Sequence, residues 1–243
     1  MAAPRTGIEL VALENLLRAQ WLRVREWLTV LDLAGEPGPS VLEGWTIADL
    51  VAHLGRAMGA LTGAQPAPAG TVPLSLGEYV AGYPDGATEI AETTRRVARE
   101  IAADPLAGID RMAQESFAQL AVLRDLGADP VVRARRGPIL LSELVISRIL
   151  ELVVHADDLV RSTRRSLPGR SPLEPGAVTV VADALLDVLL DRGGWSVEIV
   201  DPIAWIRLAC GRVPLESAAL TAALRPAHTG DSLPDLGRHL PLL

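Results

Sequence analysis

Four long stretches of the chain repeat apolar residues at intervals of three and four positions, which is the periodicity of an amphipathic helix. These stretches cover residues 8–34, 46–62, 86–126 and 139–164. The third contains Asp104-Pro105, and we expect it to break there into helices 86–103 and 106–126, because proline disfavours helical geometry in the residue before it. Four long helical units joined by loops predict a mainly α protein built on an antiparallel four-helix bundle.

The composition agrees with a helical core. Hydrophobic residues make up 49% of the chain but aromatic residues only 3%, so aliphatic side chains must fill the interior. Ala and Leu, which do most of this filling, have the highest helix propensities. A charged fraction of 22% is ordinary for a globular protein with a real core.

The second helix has a well-marked start. Thr46 suits the N-cap position, and Asp49 three residues later resembles the acidic member of a capping box. Trp45 and Leu50 stand where a hydrophobic staple places its two apolar residues. The helix is therefore predicted to begin directly after Thr46, and this start places His53 at the edge of its apolar face.

The remainder of the chain predicts a second, smaller domain. Residues 166–176 are rich in proline and glycine and resemble a linker between domains 1–165 and 176–243. Beyond the linker we expect helices over 176–192, from Pro202, over 215–224 and over 231–241, with a strand at 195–200. Residues 127–138 are expected to form a plain connection. The second domain is thus predicted to be α/β or mostly helical.

Several classes of protein are disfavoured by charge and cysteine content. A net charge of −7 is a poor basis for holding a nucleic-acid backbone. The single cysteine, Cys210, excludes an internal disulfide and a cysteine-rich metal site, and we expect it to be a buried, inert thiol. We find no secretory h-region and no membrane-spanning apolar run. We therefore expect a cytoplasmic monomer or homodimer that acts on a small molecule, without nucleic-acid or membrane partners.

Polar side chains form a stripe along the last predicted helix of the bundle. On a helical projection this stripe contains Ser147, Glu151, His155, Asp158 and Ser162. The simplest interpretation is a solvated face, with Asp158 as an exposed acid near the helix end. Alternatively, Glu151 and His155 project side by side and can bind one metal ion, with Asp158 orienting an imidazole.

A metal site needs a third ligand, and His53 on the second helix is the candidate. Two imidazoles and one carboxylate form a known catalytic zinc set, and bundle folds build such sites from facing helices. Taken alone, His53 is more simply interpreted as a buried core histidine bonded to Asp49. The arginine cluster Arg133, Arg135 and Arg136 is similarly ambiguous, and we interpret it as a solvated surface rather than an anion site.

Two sequence motifs resemble those of a known family. "GWTIADLVAHLG" (44–55) and "ELVVHADDL" (151–159) are similar to the two motifs of the mycothiol-dependent maleylpyruvate isomerase family, part of the wider DinB-like metal-binding bundles. The resemblance covers residues 8–164 and implies a DinB-like fold. It implies that His53, Glu151 and His155 bind zinc or another divalent metal, and that mycothiol, the thiol of actinobacteria, is the cosubstrate. All 23 basic residues are arginine, which suits such a host.

The C-terminal segments "DPIAWIRLACGR" and "GDSLPDLGRHLPLL" are similar to parts of a sterol-carrier-like domain, here reduced in strands. In this family an arginine of that domain assists at the active site. By this resemblance Arg212 would pair with a substrate carboxylate, with Arg207 as the alternative.

The family reaction adds the thiolate to a double bond, allows rotation and expels it, or transfers the thiol to an electrophile. We therefore expect a metal- and mycothiol-dependent isomerase or S-transferase that acts on a small electrophilic, carboxylate-bearing substrate, with Arg212 and Asp158 in catalytic roles. The alternatives are a non-catalytic small-molecule or lipid-binding protein that retains the bundle, and a thiol-independent zinc hydrolase with Asp158 as general base.

Overall fold

A four-helix bundle forms the centre of the computed structural model, which describes residues 9–31, 33, 38–163, 169–228 and 230–243. The four bundle helices are α1 (Leu10–Val30), α2 (Ile47–Gly59), α5 (Pro105–Arg124) and α6 (Leu141–Ser162). Each packs against two of the others, so that α1, α6, α2 and α5 close a ring around one apolar core. The predicted bundle is confirmed.

The third predicted helical stretch, residues 86–126, consists of two helices that occupy different places in the fold. Helix α4 (Ala87–Glu100) packs on the outer side of α2, whereas α5 is part of the bundle. Their separation occurs at the predicted place, because Pro105 is the first residue of α5 and the Asp104 carboxylate accepts a hydrogen bond from Ala107 N at 3.0 Å. A short helix α3 (Leu76–Ala81) precedes this pair.

The capping box predicted at the start of α2 is present. Thr46 Oγ1 accepts a hydrogen bond from Asp49 N at 3.1 Å, and the Asp49 carboxylate accepts one from Thr46 N at 2.9 Å. Two backbone donors at the helix end are thereby satisfied locally. The box uses the Asp49 carboxylate, so the expected bond between Asp49 and His53 is not formed.

Residues 127–138 are more than the plain connection expected from sequence. Strands β2 (Val131–Ala134) and β3 (Gly137–Leu140) form an antiparallel hairpin, and β1 (Gln65–Pro66) extends it on the β2 side. Only Arg135 and Arg136 lie between β2 and β3. Four-residue strands are too short to show a clear alternating pattern, which is why sequence periodicity misses them.

The C-terminal region contains its predicted elements except at its end, and it adds one strand, β5 (Leu224–Pro226), that was not predicted from sequence. It contains helices α7 (Pro175–Gly193), α8 (Pro202–Ala209) and α9 (Ser217–Ala223), and a two-stranded antiparallel sheet of β4 (Val197–Ile199) and β5. The helix expected over 231–241 is absent, because Pro234, Gly237 and Pro241 interrupt that segment. Helix α7 packs against α6 and α1, so the apolar core continues from the bundle into this region.

Helix α6 is buried on nearly all sides between Leu141 and Leu159. The solvated interpretation of its polar stripe is therefore wrong, since Ser147, His155 and Asp158 are all buried. Polar and charged residues nevertheless interrupt its apolar sequence.

Within the described part of the chain no helix, α6 included, has the combination of length and hydropathy needed to cross a membrane.

Candidate metal centre

Three side chains that the sequence singled out as metal ligands converge between α2 and α6. His53 Nε2 lies 3.2 Å from Glu151 Oε2, and His155 Nε2 lies 3.4 Å from the same oxygen. One ligand atom from each of the three residues lies within 4.8 Å of the other two. In a tetrahedral zinc shell, bonds of ~2.0–2.2 Å place neighbouring ligand atoms about 3.4 Å apart. Both short distances therefore fit the edges of such a shell.

The other nitrogen of each imidazole faces a polar partner outside the cluster. His155 Nδ1 donates to Asp158 Oδ2 at 3.0 Å, because an ionised carboxylate only accepts. His53 Nδ1 lies 3.4 Å from the hydroxyl of Thr94 on α4, which can accept its proton. A proton on Nδ1 leaves the lone pair on Nε2, and Nε2 is the atom that faces Glu151. With the Nδ1 proton retained by these partners, each imidazole could offer Nε2 to a metal ion in place of its present contact with Glu151.

Burial and charge act differently on the three groups. Burial, followed by the charge of His155, lowers the pKa of His53 to about 4. Burial also opposes the charged form of His155, but hydrogen bonds to Asp158 and Glu151 outweigh it and raise the pKa of His155. Burial disfavours the Glu151 carboxylate, yet hydrogen bonds from both imidazoles and the Arg148 charge hold its pKa well below the usual range. Glu151 is therefore an anion within a buried cluster.

Asp158 connects this cluster to the C-terminal region. Its side chain is fully buried, and Arg212 Nε donates to Oδ1 at 3.0 Å and to Oδ2 at 3.1 Å. Burial favours the neutral acid, but His155 and Arg212 together lower the pKa of Asp158. The alternative arginine, Arg207, instead forms a two-point ion pair with Asp157 at 2.7 and 2.8 Å. Of the two candidates, Arg212 is the one joined to the cluster.

A cavity of about 340 Å³ adjoins the cluster on the Arg212 side. Its walls include Trp45, whose ring meets that of His53 edge-on at 5.2 Å between centroids, and the apolar side chains of Leu150 and Val154. Cys210 also lines it, but burial raises the pKa of this thiol to about 12. The thiol is therefore protonated at neutral pH, in agreement with the expected inert cysteine.

Thr94, Tyr83 and Arg148 are residues of the site that sequence analysis did not assign. Arg148 precedes Glu151 by three positions on α6, and its Nη2 donates to the Tyr83 hydroxyl at 2.8 Å. The helical spacing from Glu151 was a signal for Arg148. No comparable signal exists for Thr94 or Tyr83, because their proximity depends on how α4 and the segment before it pack against α2 and α6.

Comparison with known proteins places the chain in a family. A crystal structure of the mycothiol-dependent maleylpyruvate isomerase aligns over 76% of this chain and 70% of that chain, with 21% sequence identity and a TM-score of 0.47. No curated protein matches the chain significantly. The family model "Mycothiol maleylpyruvate isomerase N-terminal domain" matches residues 17–160. Because this match covers more than half of the sequence, the chain belongs to the family of mycothiol maleylpyruvate isomerase N-terminal domains.

Proposed function

We propose that His53, Glu151 and His155 bind one divalent metal ion, preferentially zinc. The observation that carries this proposal is the approach of both Nε2 atoms to one Glu151 oxygen, at 3.2 and 3.4 Å. Two neutral imidazoles and one carboxylate suit zinc and leave a coordination position open for an exogenous ligand. Asp158 and Thr94 supply the outer hydrogen bonds that usually accompany metal-bound histidines.

We further propose that the protein is a metal- and mycothiol-dependent enzyme of the isomerase or S-transferase type. Membership of the mycothiol maleylpyruvate isomerase family supports this proposal. A zinc ion in the cluster would supply a Lewis acid that keeps a coordinated thiol deprotonated at neutral pH. Burial raises the pKa of the Cys210 thiol to about 12, which supports a cosubstrate rather than Cys210 as the source of the nucleophilic thiol.

Arg212 is proposed to bind a carboxylate of the electrophilic substrate. It lines the 340 Å³ cavity together with all three candidate ligands. Its Nε donates to Asp158 and its Nη1 to the Cys210 carbonyl oxygen, whereas Nη2 makes no hydrogen bond with any described residue. The guanidinium is thus held in place on one edge and offers donors on the other, which suits a planar carboxylate.

Asp158 is proposed to act through His155 and Arg212 rather than on the substrate. Its carboxylate is fully buried and bonded to both of these residues. We propose that the chain divides into units 1–165 and 176–243. In this division the smaller, reduced sterol-carrier-like unit supplies Arg212 to a site that the larger unit builds. The two units would function together, because a continuous core joins them.

Metal analysis and a thiol-dependent assay test the proposal together. Purified protein is expected to hold about one zinc per chain and to convert an activated electrophile only when mycothiol is present. His53→Ala and His155→Ala should each lose the metal and the activity, whereas His228→Ala, outside the cluster, should keep both. Full metal occupancy in either cluster variant, measured by elemental analysis, would contradict the ligand assignment.

A binding protein without catalysis is the second candidate, and the apolar side chains that line the 340 Å³ cavity favour it. Leu42, Leu150, Val154 and Leu243 all contribute to these walls. Zinc-loaded protein that modifies no electrophile in the presence of mycothiol would select this function. The hydrolase alternative gains no support, because a general base must reach water, and the Asp158 side chain is fully buried. Turnover without any thiol would reverse that conclusion.

A further inference from the structure

A second cavity, of about 550 Å³, adjoins the cluster on the side away from Arg212 and contains four arginines. Its walls include His53 and Glu151, which also line the first cavity. The remaining lining comes from α2 and the turn after it, from α4 and α5, from the β2–β3 hairpin and from Arg148 on α6. The two cavities thus follow one another along α2 and α6. We call this space the arginine cavity, because it is lined by Arg56, Arg135, Arg136 and Arg148.

Arg148 is a buried cation that forms no direct ion pair with a described residue. Its residue is only 3% exposed. Its guanidinium donates to the Ala57 carbonyl oxygen at 3.0 Å, to the Tyr83 hydroxyl at 2.8 Å and to Ser147 Oγ at 3.2 Å, all neutral groups. No carboxylate oxygen of a described residue lies within 4.0 Å of it. The Glu151 carboxylate, one turn along α6, acts on this charge, but it is shared with two imidazoles. A buried charge is costly to desolvate, and an anion in the cavity would offset part of that cost.

Arg56 is also unpaired among the described residues, since it makes no hydrogen bond or ion pair with any of them. Burial, followed by the charge of Arg135, lowers its pKa; Arg136 acts in the same direction, whereas Glu151 and Glu89 act in the opposite one. Several like charges nevertheless face one another around a shared space. Such an arrangement is unfavourable when the space holds only water, and it becomes favourable when the space holds an anion.

The two hairpin arginines bring further positive charge to the same space. Arg136 donates to the Gly82 carbonyl oxygen at 3.3 Å, and its guanidinium lies 4.2 Å from the centre of the Tyr83 ring, so neither contact neutralises it. Arg135 forms an exposed ion pair with Glu89 at 2.6 Å. Among the described residues that line the cavity, Glu151 is the one acid, and it is shared with two imidazoles. Even with Arg135 paired to Glu89, the cavity carries more positive than negative charge, in a chain whose net charge is −7.

Small residues keep this space open along α2 and the turn that follows it. Ala57, Gly59, Ala60 and Gly63 form that wall. A Cβ atom added at Gly59 or Gly63 would meet no other heavy atom within 4 Å. The cavity therefore combines long cationic side chains on one side with an unobstructed wall on the other, as a site for a small anion requires.

We propose that this cavity is a separate binding site for a small molecule that carries at least two oxyanion groups, either carboxylates or phosphates. Four arginines that line one space can pair with more than a single anionic group. The site requires neither a bound metal nor a thiol, so it stands independently of the proposed enzymatic function. It also differs from the carboxylate site proposed at Arg212, which belongs to the first cavity.

Calorimetric titration of the protein with succinate and with pyrophosphate tests this assignment. Ionic strength is held constant with sodium chloride, and acetate and inorganic phosphate serve as the comparisons with a single oxyanion group. We expect saturable binding of succinate or of pyrophosphate, tighter than that of the matching single-group anion. A preference for succinate identifies a carboxylate ligand and a preference for pyrophosphate a phosphate one. No thiol or electrophile is added, so failure of the enzymatic proposal cannot affect the result.

Four variants locate the bound anion. Arg56→Gln and Arg136→Gln should each raise the dissociation constant about tenfold, the effect of losing one charge-assisted hydrogen bond. Arg133→Gln removes an exposed charge from the same hairpin, and Arg212→Gln removes the cation of the first cavity; each should change the constant less than twofold. Circular dichroism confirms that every variant is folded. Absence of saturable binding, an equal loss in Arg133→Gln, or a loss confined to Arg212→Gln would overturn the proposal.

Discussion

Arg212 and Asp158 form a buried ion pair in which one guanidinium nitrogen, Nε, donates to both carboxylate oxygens, at 3.0 and 3.1 Å. The same carboxylate accepts the Nδ1 proton of His155 at 3.0 Å. A single acid thus orients a candidate metal ligand and a candidate substrate-binding arginine. The two parts of the site are therefore mechanically connected although they come from distant parts of the sequence.

Asp158→Asn is expected to weaken zinc binding by about ten- to a hundredfold, because a neutral amide holds the His155 tautomer less firmly than a carboxylate does. Competition with a chromophoric chelator measures the affinity. Asp157→Asn is the matched control, since Asp157 is a neighbouring buried acid paired with Arg207 instead. Equal losses of affinity in the two variants would mean that general destabilisation, rather than His155 orientation, is responsible.

Arg212→Gln is expected to reduce kcat/KM for a carboxylate-bearing electrophile by about tenfold or more, the effect of losing a charged hydrogen-bond donor to the substrate. The comparison is made at saturating zinc with occupancy verified. Arg212→Lys should recover part of the loss, because it restores the charge but not the planar fork. An uncharged electrophile provides the control, and a similar loss with that substrate would argue against carboxylate recognition by Arg212.

Gly55→Ala is expected to destabilise the fold by about 1–3 kcal/mol through overpacking between α2 and α5. An added Cβ would lie 2.9 Å from Ile109 Cγ2 and 3.0 Å from Met112 Sδ. Gly59→Ala on the same helix meets nothing within 4 Å and should be neutral or slightly stabilising. Urea denaturation measures both free energies of unfolding. Similar values for the two variants would contradict the close approach of the helices.

Thr46→Ala should lower the free energy of unfolding by about 1 kcal/mol, because it removes the side chain that accepts from Asp49 N. Thr46→Ser keeps the hydroxyl and should lose much less. Chemical denaturation with zinc absent separates this effect from metal binding. A loss in the serine variant equal to that in the alanine variant would show that the methyl group, not the cap, stabilises the helix start.

Local sequence signals were sufficient for the start of α2 and for two of the three candidate metal ligands, Glu151 and His155. The capping box depends on residues three positions apart, and Glu151 and His155 are one turn apart, so both arrangements can be recognised within a single helix. His53 lies on a different helix. Its assignment required either the resemblance to a family or knowledge of which faces of α2 and α6 meet.

The arginine cavity could not be predicted in the same way. Arg135 and Arg136 face it only because β2 and β3 form a hairpin that sequence periodicity does not reveal. The solvated interpretation holds for Arg133, which is exposed, but not for Arg136, which is partly buried in the cavity wall. Neighbouring residues of identical chemistry therefore have different environments, and only the tertiary fold distinguishes them.

Helix α6 also fixes the distance between the two cavities, and so the length that a ligand needs to reach both. Arg148, at one cavity, and His155, at the other, are seven residues apart on one continuous helix. At ~1.5 Å of rise per residue their separation along the axis is about 10 Å. Because no hinge lies between them, this distance does not change with loop movement. The reach of a ligand, and not only its charge, thus decides whether one molecule can contact both cavities.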